Sequence, residues 1–152
     1  MTDFEIAMDF VALHEWGKRA DGEYTNIPTD AGGETKYGIA KRAHPDVDIK
    51  NLTLADALAI YRTDYWNANN IDQYSMPLKL AVFDSYIQHG PKKTQQFLVA
   101  AGSDWQAFVQ ARIDFYLALI DKNPAQIIFK RGWMNRMVDL RKLCEINTPQ
   151  TT

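Results

Sequence analysis

The chain has 152 residues, 46% of them hydrophobic and 24% charged, with a formal net charge of −2. That length supports one domain with a proper core and is too short to expect two independent ones. One cysteine, Cys144, excludes an intrachain disulfide; with no CxxC or Cys/His cluster, the expectation is no metal site, and the charge calls for no nucleic-acid partner.

Residues 1–20 hold Asp3, Glu5 and Asp9 among apolar positions, without a basic leader or a continuous apolar run. No signal peptide, anchor or membrane insertion is therefore expected, and the protein is expected in the cytoplasm until something releases it. Ile6, Phe10, Leu13 and Gly17 share one helical face, with Ala7, Val11 and His14 beside it. The periodicity predicts an amphipathic helix over 3–18. Glu15 falls in its last turn, where the negative end of the helix dipole disfavours another carboxylate.

From 18 to 52 helical periodicity is lost, and Gly, Pro, Asp, Asn and Thr accumulate. YTNIPTD is short and β-like, so a small hairpin is expected here. A non-helical segment of this length in a compact domain is usually functional. It contains the run TDAGGETKYGI at 29–39, with Asp30, Gly32, Gly33, Glu34, Thr35 and Tyr37.

The rest reads as helical. Thr53 with Asp56 caps one helix, whose apolar stripe is Leu54, Leu58, Tyr61 and Tyr65. Pro77 opens another that runs to Gly90, and a short one follows to Gly102. Ser103 with Gln106 reads as a capping box for a long, largely buried helix, DWQAFVQARIDFYLALID. Pro124 and Gly132 punctuate the last region, and WMNRMVDLRKL makes the final helix. The fold class is all-α or α-rich α+β, with a short β-like, irregular segment after the first helix.

Charge is unevenly spread. Residues 1–60 carry 6 Lys/Arg against 11 Asp/Glu, whereas residues 121–152 carry 6 against 3. The basic end would suit an anionic polymer, and a solvated helix face explains it equally well.

Glycoside hydrolysis needs a proton donor for the leaving oxygen and, in most enzymes, a second carboxylate. Glu15 is the candidate donor: it ends an apolar helix and stands beside Trp16. Asp30, in the Gly-rich loop, is the candidate partner, with Glu34, Asp21 and Glu23 competing. Gly32 and Gly33 allow close backbone approach to a ligand, and the Thr35 hydroxyl can both donate to and accept from a water. On spacing alone, a solvated acidic loop accounts for these acids as readily.

LHEWG and TDAGGETKYGI together resemble the N-terminal signature of the phage-type N-acetylmuramidases of glycoside hydrolase family 108. In that family a helix ends in a His-Glu-Gly-Gly-like motif and the next loop reads Asp-Pro-Gly-Gly-x-Thr-x-x-Gly-Ile. Asp30, Gly32, Gly33, Thr35, Gly38 and Ile39 stand at the matching places. NLTLADALAIYRTDYW and MPLKLAVFDSYIQHGP are similar to the family's next two helices. RIDFYLALI, Pro124, Phe129 and GWMNRM are similar to the peptidoglycan-binding region that usually follows.

The resemblance implies a lysozyme-like fold in one domain over 1–152, with a catalytic half at 1–90 and a helical, peptidoglycan-binding half at 91–145. It implies cofactor-free hydrolysis of the β-1,4 bond between N-acetylmuramic acid and N-acetylglucosamine. The implied setting is host lysis by a phage, with a monomer released through a holin onto peptidoglycan strands. Its catalytic glutamate carries over onto Glu15, and its loop residues onto Asp30 and Thr35. Gly33, Tyr37, Gln88 and Trp133 are the expected substrate contacts, and Trp66 is a further candidate for sugar stacking or for a core anchor. Two departures stand out. HEWG and DGEY are separated by Lys18-Arg19-Ala20, where the family has a contiguous Glu-Gly-Gly-Tyr, so Asp21 competes with Glu15. Gln88 replaces the usual Asn. A lytic transglycosylase, and a wall-binding or virion protein without turnover, are the alternatives.

Overall fold

In this computed structural model, residues 1–28 and 33–150 are described. The chain divides into two compact units, Met1–Asn67 and Ala68–Thr152.

The first unit opens with α1, Asp3–Trp16. Thr2 and Glu5 form a capping box across its first turn, each side chain bonded to the other's backbone N–H. Gly17, with φ 59°, ends the helix in the left-handed conformation. The helix is thus shorter than its apolar periodicity suggests. Its buried residues are Ala7, Met8, Phe10, Val11, Ala12 and Trp16, while Leu13 is 52% exposed.

The irregular segment contains a three-stranded antiparallel sheet in the order β1 (Thr25–Asn26), β2 (Glu34–Lys36), β3 (Ile39–Ala40). Lys36 faces Ile39, so Tyr37-Gly38 is a two-residue hairpin turn. Both residues have positive φ, 50° and 73°, as a type I′ turn requires. Then α2, Leu54–Ile60, starts at Thr53, whose hydroxyl accepts from the Asp56 N–H as the sequence predicts. It continues into a π-helical turn, Tyr61–Asn67.

In the second unit α3, Leu78–Ala101, is broken at Gly90 (φ 78°, ψ 179°) just before Pro91. The break lies where the sequence predicts one helix to end and a second to begin. Ser85 and Thr94 hydroxyls bond across it at 2.8 Å. Helix α4, Trp105–Lys122, is capped by Asp104 rather than Ser103: the Asp104 carboxylate accepts from the N–H groups of Gln106 and Ala107. It buries only Phe108, Val109, Arg112 and Tyr116, one face rather than most of its surface. A 3₁₀ turn, Pro124–Phe129, leads into α5, Lys130–Ile146. That helix begins before Gly132, which sits in its first turn and does not punctuate it. Helices α3, α4 and α5 pack against one another. Among the described residues, no helix is long and apolar enough to cross a membrane. The architecture is α-rich, with a small sheet after the first helix.

Candidate active site

Glu15 lies in the last turn of α1, neither fully buried nor free in solvent. The β2–β3 turn comes directly against it. A Cβ placed on Gly38 would stand 3.3 Å from Glu15 Cβ and 3.5 Å from its Cγ, and would run into the Tyr61 hydroxyl. Glycine is therefore required twice over at 38, by its φ and by its neighbours. The Tyr61 hydroxyl donates to the carbonyl of Tyr37 at 2.9 Å, which fixes the turn from the π-helical side. Tyr61 is 1% exposed and its ring neighbours those of Tyr65, at 5.5 Å, and Trp16, at 6.3 Å.

Tyr65 is the second hydroxyl near the acid. Burial pushes its phenol up, followed by the negative charges of Asp64 and Glu15. Its oxygen lies 3.1 Å from His44 Nε2, and His44 Nδ1 lies 3.6 Å from Asp64. His44 and Asp64 gave no signal in the sequence, because His44 comes from a polar loop and meets the helix residue twenty positions later.

The competing acids sit elsewhere. Asp21 is exposed, accepts from the Glu23 N–H at 2.9 Å and pairs with Arg19 at 2.8 Å. These two partners, the backbone donor first, hold its carboxyl below the usual range. Its neighbour Gly22 lies under the Tyr37 ring, and Gly22 O accepts from Tyr37 N at 2.8 Å. DGEY is thus a turn packed on the hairpin tip, whereas HEWG is a helix end. Glu34 in β2 accepts from the Tyr24 hydroxyl at 2.7 Å. Asp30 and Gly32 lie outside the described residues.

Thr35 occupies the central strand, facing Thr25 and Ala40. Gly33 precedes it with φ 68°. Tyr37 is 7% exposed, packs edge-on to Trp16, and donates its hydroxyl to the Ala20 carbonyl at 3.2 Å, so its ring shapes the hairpin turn from beneath. A groove of about 350 Å³ on this unit is lined by Phe4, Met8, Trp16, Tyr37, Leu54 and Leu58, and Glu15 is not part of its wall. Trp66 is 1% exposed against Phe4 and is a core anchor.

In the second unit Gln88 and Trp133 come together on a groove of about 280 Å³ that also includes His89, Lys93 and Phe115. Trp133 stacks on Tyr116 at 4.8 Å and lies against Phe129. Behind this groove is a cluster that the sequence did not reveal. Asp84, 1% exposed, is held by Arg136 through a bidentate pair and by Arg112 at 2.9 Å. Burial opposes ionisation of Asp84, but Arg136 and Arg112 outweigh it and bring its value down to about 2. His89 accepts from Arg112 Nε at 3.2 Å; burial, then the Arg112 charge, pushes its imidazole down to about 3. The arrangement is a charge network inside a helical core.

No curated protein matches the chain. Its fold is like that of a solved structure, "Structure of Brucella abortus SagA", with a TM-score of 0.71, 24% sequence identity and 97% of each chain covered. Helix end, hairpin and helix α3 up to its break fall within one stretch that a family model describes. Residues 15–90, which begin at Glu15, end at Gly90 and make up half of the chain, match the Glycosyl hydrolase 108 model, and the protein belongs to that glycoside hydrolase family.

Proposed function

We propose that the protein cleaves the β-1,4 bond between N-acetylmuramic acid and N-acetylglucosamine in bacterial peptidoglycan, with Glu15 as general acid. The carrying observation is the setting of Glu15: a helix-end carboxyl set against the Gly38 turn and accompanied by two tyrosines. Asp21, its competitor, is exposed and kept ionised by Arg19 and its own turn, which suits a structural acid and not a proton donor.

Asp30 is the proposed second carboxylate, since Glu34 is engaged by Tyr24. Thr35 is assigned the orientation of the attacking water. Gly33 and Tyr37 form the floor of the site, and Gln88 and Trp133 offer a contact surface for the glycan in the second unit. One domain over 1–152, with residues 91–145 as its wall-binding half, fits the ordered motifs of the family. The biological role that suits this chemistry is that of a phage endolysin, a monomer released through a holin onto the wall and needing no cofactor.

The test is clearing of outer-membrane-permeabilised cells by wild type, Glu15→Gln and Asp21→Asn, each confirmed as folded by circular dichroism. Inactive Glu15→Gln beside active Asp21→Asn supports the assignment; the reverse moves the acid to Asp21. Product mass separates hydrolysis, which adds water, from transglycosylation, which leaves an anhydro sugar. Wall binding with no clearing would replace the enzyme reading by a binding one.

A further inference from the structure

The groove of the second unit has a one-sided polar chemistry. No Asp or Glu stands in its wall, where Gln88, His89 and Lys93 meet the rings of Phe115, Tyr116 and Trp133. The break at Gly90 leaves Gln88 and His89 before the bend and Lys93 after it, so two stretches of α3 serve one groove.

His89 supplies a fixed donor. Arg112 Nε–H donates to His89 Nε2, and a guanidinium is always protonated, so Nε2 must hold a lone pair. The ring's single proton is then on Nδ1. Among the described residues no protein acceptor meets Nδ1, and it is not sealed in the core. Edge-on contacts with Phe97 and Phe115, at 5.3 and 5.4 Å, hold the ring in place.

Lys93 supplies a cation. Its Nζ lies 4.7 Å from the centre of the same Phe115 ring. It donates one hydrogen bond to Gln96 at 2.9 Å, which leaves two more ammonium protons. Behind the wall, the guanidiniums of Arg112 and Arg136 face one carboxylate, Asp84, so one positive charge is in excess. That excess is buried, where salt screens it less than a surface charge.

Such a wall favours a ligand group that is negative and only accepts hydrogen bonds. Sugar hydroxyls both donate and accept, and the N-acetyl groups of a glycan carry no charge. In peptidoglycan the carboxylates belong to the peptide stems that branch from N-acetylmuramic acid, and the alanine methyls of those stems suit aromatic faces. We propose that this groove is a subsite for a stem-peptide carboxylate, held by Lys93 Nζ and His89 Nδ1–H. It makes the second unit a reader of peptide-bearing strands rather than of the bare glycan. The subsite rests on the reading of peptidoglycan as the substrate.

The experiment is an NMR titration of the full chain, read at the Trp133 indole, with three probes. These are a disaccharide tetrapeptide, the same compound with its carboxylates amidated, and an N-acetylglucosamine tetramer. The disaccharide, N-acetylglucosamine linked to N-acetylmuramic acid, lacks the bond the enzyme is proposed to cut and so survives the titration. Wild type should bind the free acid about fivefold more tightly than the amide, the scale of one partly exposed ion pair. The tetramer should bind no better than the amide. Lys93→Gln, with its melting temperature recorded, should bind acid and amide alike.

Equal affinity of wild type for acid and amide overturns the proposal. So does a preference that survives in Lys93→Gln, or a tetramer that binds more tightly than the free acid. Clearing of permeabilised cells is measured in parallel. Wild type that clears cells without distinguishing acid from amide loses only the subsite. Wild type that neither clears cells nor binds any probe loses the peptidoglycan reading, and the subsite with it.

Discussion

Gly38 stands against Glu15 closely enough that an added methyl would lie 3.3 Å from Glu15 Cβ and overlap the Tyr61 hydroxyl. The end of α1 and the tip of the β2–β3 hairpin are therefore one local structure. The acid's position depends on a residue that has no side chain.

Gly38→Ala is the sharpest check of that relationship. A non-glycine residue at φ 73° carries a strain of about 1–3 kcal/mol before any clash is counted. We expect a lower urea midpoint together with a loss of lytic activity at temperatures where the variant is still folded. Full activity in a folded Gly38→Ala protein would show that the turn does not position Glu15.

Tyr61→Phe removes the hydroxyl that donates to the Tyr37 carbonyl and leaves the ring in place. The expected cost is about 1 kcal/mol, the usual net value of one buried hydrogen bond. Chemical denaturation measures it. Combined with Gly38→Ala, the phenylalanine should recover part of the glycine variant's loss, since the obstructing oxygen is gone.

Asp84→Asn tests the core network of the second unit. It leaves the Arg112 and Arg136 guanidiniums buried without their counter-charge, a change expected to cost about 3–5 kcal/mol. Lowering of the thermal midpoint, with the clearing assay as a separate readout, distinguishes a stabilising role from a catalytic one.

The same network predicts acid sensitivity in two stages. His89 is held near 3 in the folded protein against about 6.5 when unfolded. Unfolded chains therefore bind the extra proton, and stability falls as pH drops from about 6.5 towards 3. Asp84 is depressed to about 2, so its contribution is whole above about pH 4 and disappears as pH falls through 2. Melting temperatures across this range should decline continuously, and His89→Gln should flatten the upper stage.

Cys144 is 0% exposed and burial pushes its thiol up to about 12. It should resist alkylation at pH 8 in the native protein and react at once in denaturant. Fast native labelling, followed by mass, would show that α5 opens readily.

Much of the molecule was legible in the chain itself, and for local reasons. Thr53 caps α2, Gly90 breaks α3, and Glu15 stands in the last turn of α1, because caps, glycine conformations and apolar periods act within a few residues. Where two neighbours competed, local rules were less decisive: Asp104 displaced Ser103 as the cap of α4, its carboxylate accepting from two backbone donors at once. Ordered motifs along the chain also pointed to the glycoside hydrolase family. What only the tertiary structure decided is who meets whom. Arg112 carries no mark in its own helix of the partner it needs, and it is 0% exposed because Asp84, on another helix, pairs with it. His44 is one polar residue in a loop until the π-helical turn brings Asp64 and Tyr65 to its two nitrogens. Pairings of this kind depend on chain closure over tens of residues, and no short-range pattern in a sequence records it.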